Sequence, residues 1–237
     1  FILGLPRSGS TMIEQILSSH SLIEGTQELP NILAISRDIK LIDQKKGYPN
    51  NLLGLDQSSF DDLGKKYIDE TKWARSSTPF FIDKMPNNFV HIGLIKLILP
   101  KAKIIDARRN PMDTCFSCFK QYFAKGQHFT YDLDDIARYY KDYVRLMDYW
   151  KKLFPEEIFT IHYEQVIDNP NDRIRDLLEF CNVKFEDNCI NFHKSKRPVK
   201  TASSEQVRQP MYKTGLDYWK NYSNNLDTLL KYFPEYN

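Results

Sequence analysis

Apolar residues recur along this chain in two alternating rhythms. Short apolar runs at residues 1–5, 80–82, 102–107 and 158–163 have the length and the β-branched or aromatic content of strands. Between them, apolar positions fall three and four residues apart, as on one face of a helix. Met12, Ile13, Ile16 and Leu17 make such a stripe over residues 11–19. A longer stripe over 133–154 contains Ile136, Tyr140, Tyr143, Met147 and Trp150, and its aromatic rings read as core. Residues 89–99 are apolar enough for a covered helix, and Asn169-Pro170 opens another that carries Ile174, Leu177, Leu178 and Cys181. Residues 39–73 are less regular: Tyr48-Pro49-Asn50-Asn51 and Leu53-Gly54 are turn signals, followed by a helical pattern over 60–74. Strands alternating with helices predict an α/β fold, a parallel sheet with helices on both faces. The first strand and the strand at Lys103 should be close neighbours in it.

With 237 residues, 41% of them hydrophobic and 14% aromatic, the chain can bury one substantial core. A single domain over 1–237 is expected. A formal charge of +2 excludes a nucleic-acid coat or a polybasic membrane anchor, so any cationic site must be local. No apolar run is long enough to span a bilayer and no leader pattern is present, which suits a cytoplasmic protein. The chain opens inside a strand without methionine, so an upstream segment is also expected: a repeat array, or a membrane anchor that would place the domain in the Golgi lumen. Of the four cysteines, Cys115 and Cys118 form a lone CxxC with no histidine at ligand spacing and read as packing residues. The five histidines form no metal constellation, and His20 reads as a capping or packing residue.

The chemistry begins where the first strand breaks. Gly4-Leu5-Pro6-Arg7-Ser8-Gly9-Ser10-Thr11 has the spacing Gly4-x-x-x-x-Gly9-x-Thr11 of a phosphate-cradling P-loop. In such a loop the backbone N–H groups and the following helix start hold an anion. Ser10 stands where a nucleoside triphosphatase needs lysine, and Arg7 supplies a planar fork of donors instead. A tight strand-to-helix turn without a ligand is the plainer alternative. The expected architecture is therefore a P-loop-type three-layer sandwich.

A second segment, Arg109-x-Pro111-x-Asp113-x-x-x-Ser117, follows the Lys103 strand. Pro111 suits the first turn of a helix, so Arg109 should sit at the strand's carboxyl end with Ser117 about two turns into the helix. Both could reach one anion, or Arg109 could pair with Asp113. Asp106, at the end of an apolar strand, admits a rival reading as the magnesium-holding carboxylate of a nucleoside triphosphatase.

These segments resemble the sulfotransferases that use 3'-phosphoadenosine 5'-phosphosulfate, most closely those associated with tetratricopeptide repeats and more distantly the tyrosylprotein sulfotransferases. The resemblance implies that Arg7, Ser8, Gly9, Ser10 and Thr11 bind the 5'-phosphosulfate, and that Arg109 and Ser117 bind the 3'-phosphate. It implies a general base at Glu28, in Thr26-Gln27-Glu28-Leu29-Pro30, and a catalytic lysine at Lys84, in Asp83-Lys84-Met85-Pro86, with Arg7 assisting catalysis. By position alone Glu28 reads rather as a helix-start carboxylate and Lys84 as a solvated surface group. His162-Tyr163-Glu164-Gln165 matches the adenosine-contacting strand end through Tyr163. Residues 201–222 resemble the segment that closes over the nucleotide. There Gln209 replaces a lysine, and Arg208 or Lys213 would stand in.

Sulfuryl transfer explains these residue types: cations and amides oppose charge on the leaving group, and a carboxylate takes the acceptor's proton. The resemblance implies no metal, and the near-neutral charge gives no reason to expect a nucleic-acid partner. The acceptor it implies is a hydroxyl: a peptide tyrosine, a sugar or another alcohol. Two other classes stay open, a kinase or nucleoside triphosphatase with a degenerate loop, and a nucleotide-binding module without catalysis.

Overall fold

The structure, a computed structural model, describes residues 1–42, 45–76, 78–124, 126–195, 197–199, 201, 203–211, 213 and 215–236, with backbone alone at 42 and 206. In chain order its first half contains β1 (Ile2–Gly4), α1 (Ser10–Ser18), β2 (Ile23–Gly25), α2 (Asn31–Ile42), α3 (Gln57–Glu70), β3 (Phe80–Ile82) and α4 (Ile92–Ile98). The second half contains β4 (Ile104–Arg108), α5 (Pro111–Phe119), α6 (Leu133–Leu153), β5 (Ile158–His162), α7 (Tyr163–Asp168), α8 (Pro170–Phe180) and α9 (Asp227–Tyr232).

β1 pairs in parallel with β4, Ile2 opposite Ile105 and Gly4 opposite Ala107, and β4 pairs in parallel with β5 up to Arg108 opposite His162. The first strand and the Lys103 strand are thus direct neighbours. β2 and β3 form a second parallel pair, joined to β1 by a parallel bridge between Ile2 and Lys84. The spatial order is β2-β3-β1-β4-β5, and every carboxyl end lies on one edge. Side chains alternate across the sheet, as the two-residue period requires. Ile2, Ile105 and Ile161 enter one core with Met12, Ile16, Val166 and Leu177. Leu3, Ile104 and Ile158 enter the other with Ile32, Ile95, Met112 and Tyr143.

Several elements depart from expectation. The helix expected over 89–99 is a 3-10 stretch, Pro86–His91, followed by α4, because the backbone at His91 leaves helical angles (φ −116°). β5 ends at His162, and Tyr163 opens the short α7. β2 and the body of α2 had no predicted counterpart. Among the described residues no helix is long and apolar enough to cross a membrane.

The aromatic stripe of α6 is core, as its sequence indicates, and it also anchors β4. Asp106 has no exposed surface and lies on the α6 side of the sheet. Its Oδ1 accepts from the Tyr143 hydroxyl, and its Oδ2 from Arg108 at 2.8 Å and Thr160 at 3.2 Å. A carboxylate whose two oxygens are both engaged in this way has a structural role and does not suit a magnesium ligand. One turn earlier on α6, Tyr140 donates to the Arg109 carbonyl at 2.8 Å and so fixes the backbone where β4 delivers its arginine.

Candidate active site

The glycine loop leaves β1 at Gly4 (φ +141°), where a Cβ would strike the Ala107 carbonyl oxygen. Only glycine lets β1 lie that close to β4 there. Arg7 takes a left-handed conformation (φ 66°), as does Gly9 (φ 96°), and α1 starts immediately afterwards with no side-chain cap. The Met12 amide bonds back to the Gly9 carbonyl at 2.9 Å, and the amides before it, of Ser10 and Thr11, have no partner within the helix and are available to an anion. Ser8, Ser10 and Thr11 are all buried, and the Ser8 Oγ has no partner. The Arg7 guanidinium reaches across the cleft: Nε donates to Ser117 Oγ at 3.0 Å and Nη1 to Ser203 Oγ at 2.8 Å.

The second arm comes from β4 and α5. Asn110 caps α5, accepting from the Met112 and Asp113 amides at 2.8 and 3.3 Å, and Pro111 occupies the first turn. Arg109 therefore leaves the strand end pointing at the glycine loop, where Nη1 lies 3.5 Å from the Arg7 carbonyl oxygen and Nη2 donates to the Gly215 carbonyl. Its guanidinium stacks 4.9 Å from the centre of the Tyr163 ring, and its Nε is buried without a partner. Asp113 is 3.6 Å from Arg109, so the expected pairing exists, but the carboxylate mainly holds the returning chain. Its oxygens accept from the amides of Asp217 at 2.9 Å and Trp219 at 3.2 Å. Arg7, Gly9, Thr11, Arg109, Ser117 and Tyr163 line one cleft of about 1060 Å³, measured with its open mouth.

A second cleft adjoins the first and shares Arg7, Gly9, Thr11 and Ser203 with it. Lys84, bridged to β1, has a side chain only 1% exposed, and its Nζ lies 2.5 Å from Glu28 Oε1. Glu28 is the more open partner at 43%, and Oε2 has no other partner among the described residues. The loop carrying it is pinned at Thr26, which donates to the Ile82 carbonyl through its amide at 3.3 Å and its hydroxyl at 2.6 Å. Arg197 clamps the same loop, donating to the Thr26 carbonyl and to the buried Glu14 of α1 at 2.7 Å. Glu28, Lys84 and Thr201 also line a third opening, toward the exposed Trp73.

The arrangement brings most of the sequence candidates together and leaves three outside. Ser8 is buried within the loop and lines neither cleft. Arg208 is exposed, and Lys213 pairs with Asp168 at 2.9 Å on the surface; neither lines the clefts, whose wall there is Val207, Gln209, Pro210 and Met211. Three residues that the sequence reading did not single out do line them. Ser203 holds Arg7, Thr201 Oγ1 lies 3.2 Å from Thr11 Oγ1, and Lys120 lines the first cleft together with Arg109. The hydroxyl-rich run from Thr201 to Ser204 was the available signal for the first two. His20 is a packing residue as expected, its ring 2.8 Å from the Lys184 carbonyl oxygen. Cys115 and Cys118 are buried, and burial pushes the Cys118 thiol up to about 12.

A glycine loop at the end of the first parallel strand, opposed by an arginine from the neighbouring strand, defines an α/β domain of the P-loop kind. The sequence matches the Sulfotransferase family over residues 1–187, and the chain belongs to that family. An uncharacterised protein of Aquifex aeolicus is 37% identical over 244 residues, covering 99% of this chain. The chain spans about a third (32%) of the length of that relative. A candidate protein-tyrosine sulfotransferase of Caenorhabditis briggsae is 22% identical over 197 residues, covering 81% of this chain and 68% of its own length. The sulfotransferase domain of a Synechococcus olefin synthase has the same fold, with a TM-score of 0.67 at 18% identity over 93% of this chain and 86% of that one.

Proposed function

We propose that this domain transfers a sulfuryl group from 3'-phosphoadenosine 5'-phosphosulfate to an acceptor hydroxyl. The observation that carries the reading is the meeting of the two arms: the Arg109 guanidinium lies 3.5 Å from the Arg7 carbonyl oxygen, so both arginines face one cleft. The residues fit a ligand with an anion at each end. Arg109 Nε is buried and unpartnered, α1 begins uncapped, and the one carboxylate among the described lining residues, Asp113, is already bonded to two amides. When bound, the donor supplies a sulfuryl group attached to a phosphate leaving group.

In this reading the loop amides and Arg7 hold the 5' end, Arg109 and Ser117 hold the 3'-phosphate, and Tyr163 orients Arg109 beside the nucleoside. Glu28 takes the proton of the acceptor hydroxyl through Oε2, while Lys84 fixes Oε1 and offers its ammonium to charge at the transferring group. Ser203 keeps the Arg7 fork turned into the site. The acceptor is a peptide tyrosine, a sugar or another alcohol; the Caenorhabditis briggsae relative's description favours the first. The domain acts within a longer protein, for which an upstream tetratricopeptide array is the proposed neighbour.

Glu28→Gln tests the assignment of roles. With sulfur-labelled donor and a panel of tyrosyl peptides, sugars and alcohols, turnover should fall by at least about 100-fold. Affinity for adenosine 3',5'-bisphosphate should change by less than about twofold, as expected for a group that acts only on the acceptor. Equal losses in turnover and nucleotide affinity would remove Glu28 from the base role.

A further inference from the structure

Lys120 is the third cation of the first cleft, and nothing in its immediate sequence marks it. It follows Ser117 by three residues, so the two side chains leave the same face at the end of α5. Its ammonium is held by aromatic faces, 4.0 Å from the centre of the Tyr218 ring and 4.7 Å from that of Phe116. Those rings stack on one another, with centroids 6.3 Å apart and planes inclined by 22°. Tyr218 lies between Asp217 and Trp219, whose amides are bonded to Asp113, so the contact that closes the returning chain also aims the lysine. Among the described residues no carboxylate comes within ion-pair distance of Lys120. Burial depresses its pKa, and the charges of Arg7 and Arg109 depress it further. Three cations therefore converge on a cleft whose carboxylate is already committed, an arrangement that favours an incoming anion of high charge.

We propose that Lys120, aimed by Phe116 and Tyr218, completes the 3'-phosphate site with Arg109 and Ser117 and sets the preference for 3'-phosphorylated over unphosphorylated adenine nucleotides. The inference rests on the nucleotide reading above. It assigns the discrimination to a residue outside the Arg109-to-Ser117 segment and gives the tyrosine of the returning chain a positioning role.

Calorimetric titration with adenosine 3',5'-bisphosphate and with adenosine 5'-monophosphate gives the decisive ratio. The natural protein should prefer the bisphosphate. Lys120→Gln should reduce that preference by about tenfold or more, the scale of one lost charge-assisted hydrogen bond, and leave monophosphate affinity unchanged. Lys120→Arg and Tyr218→Phe should keep most of the preference, and Tyr218→Leu should lose part of it. If the natural protein shows no preference, the nucleotide reading itself fails. If the preference survives intact in Lys120→Gln, or that variant loses both nucleotides equally, only the role of Lys120 is overturned. A matching melting temperature for Lys120→Arg keeps the comparison clear of folding defects.

Discussion

Replacing Gly9 by alanine tests whether the loop is shaped by its backbone and by the ring behind it. Two costs follow from the structure. Gly9 sits at φ 96°, a left-handed conformation, which costs a residue bearing a Cβ about 1–2 kcal/mol. The new Cβ would also lie 2.7 Å from Tyr163 Cδ2, whereas carbons pack best about 3.5–4.0 Å apart, so the ring must retreat by about 1 Å. That retreat loosens the stack between Tyr163 and Arg109, now 4.9 Å apart, and such a cation–π contact is worth about 0.5–1 kcal/mol. The sum is about 1.5–3 kcal/mol, or a fall in Tm of roughly 3–12 °C for a protein of this size. Thermal unfolding followed by circular dichroism would measure it, and titration with adenosine 3',5'-bisphosphate should show at least about tenfold weaker binding. Because part of the cost is the ring clash, Gly9→Ala combined with Tyr163→Leu should be less destabilised than the sum of the single variants, by about 1 kcal/mol. A Gly9→Ala protein that melts within about 1 °C of the natural one and binds nucleotide normally would refute this account of the cradle.

Two further substitutions probe the supports of Lys84 and Glu28. Asp83 is buried beside Tyr67, which donates to it at 2.8 Å, and burial pushes its carboxyl up to about 7. The folded state therefore holds a proton that the unfolded state releases near pH 4, so this contribution to stability is greatest in acid and is lost as pH rises from about 4 to about 7. Asp83→Asn, which can still accept from Tyr67, should flatten that slope and stabilise the protein at pH 8 relative to the natural one by up to about 4 kcal/mol. Urea midpoints at pH 5 and pH 8 would show it, and parallel pH profiles would contradict it. Arg197→Gln leaves the buried Glu14 without its cation and should cost about 3 kcal/mol, largely recovered by adding Glu14→Gln. Denaturant curves that show no such recovery would mean that the clamp acts otherwise.

What the sequence reveals and what it conceals follow from the range of each interaction. The glycine loop, and the Arg109-to-Ser117 helix start with its Asn110 cap and Pro111, are local patterns within about ten residues, and they are legible as such. The alternation of Ile104, Ile105 and Ala107 across the sheet is legible too, and so is the core face of α6. α2 carries a readable stripe in Ile32, Ile35 and Ile39, but β2 offers three residues with one apolar side chain buried, too little pattern to announce a strand. The pairing of Glu28 with Lys84 joins residues 56 apart, and no spacing rule implies a 2.5 Å contact between them. Ser203 enters the site only because the returning chain crosses the loop to reach Arg7, and Lys120 is aimed there by Tyr218 of the same returning chain. Lys213 shows the converse. It lies at a plausible register, yet the chain turns it outward to Asp168.

In this mechanism one nucleotide spans the glycine loop and Arg109. A crystal structure of the complex with adenosine 3',5'-bisphosphate, grown without added magnesium, tests it most directly. The 5'-phosphate should lie on the amides of residues 9–11 and the 3'-phosphate between Arg109 and Ser117. A nucleotide that leaves either end of the cleft unfilled, or that binds on another face of the domain, would contradict it.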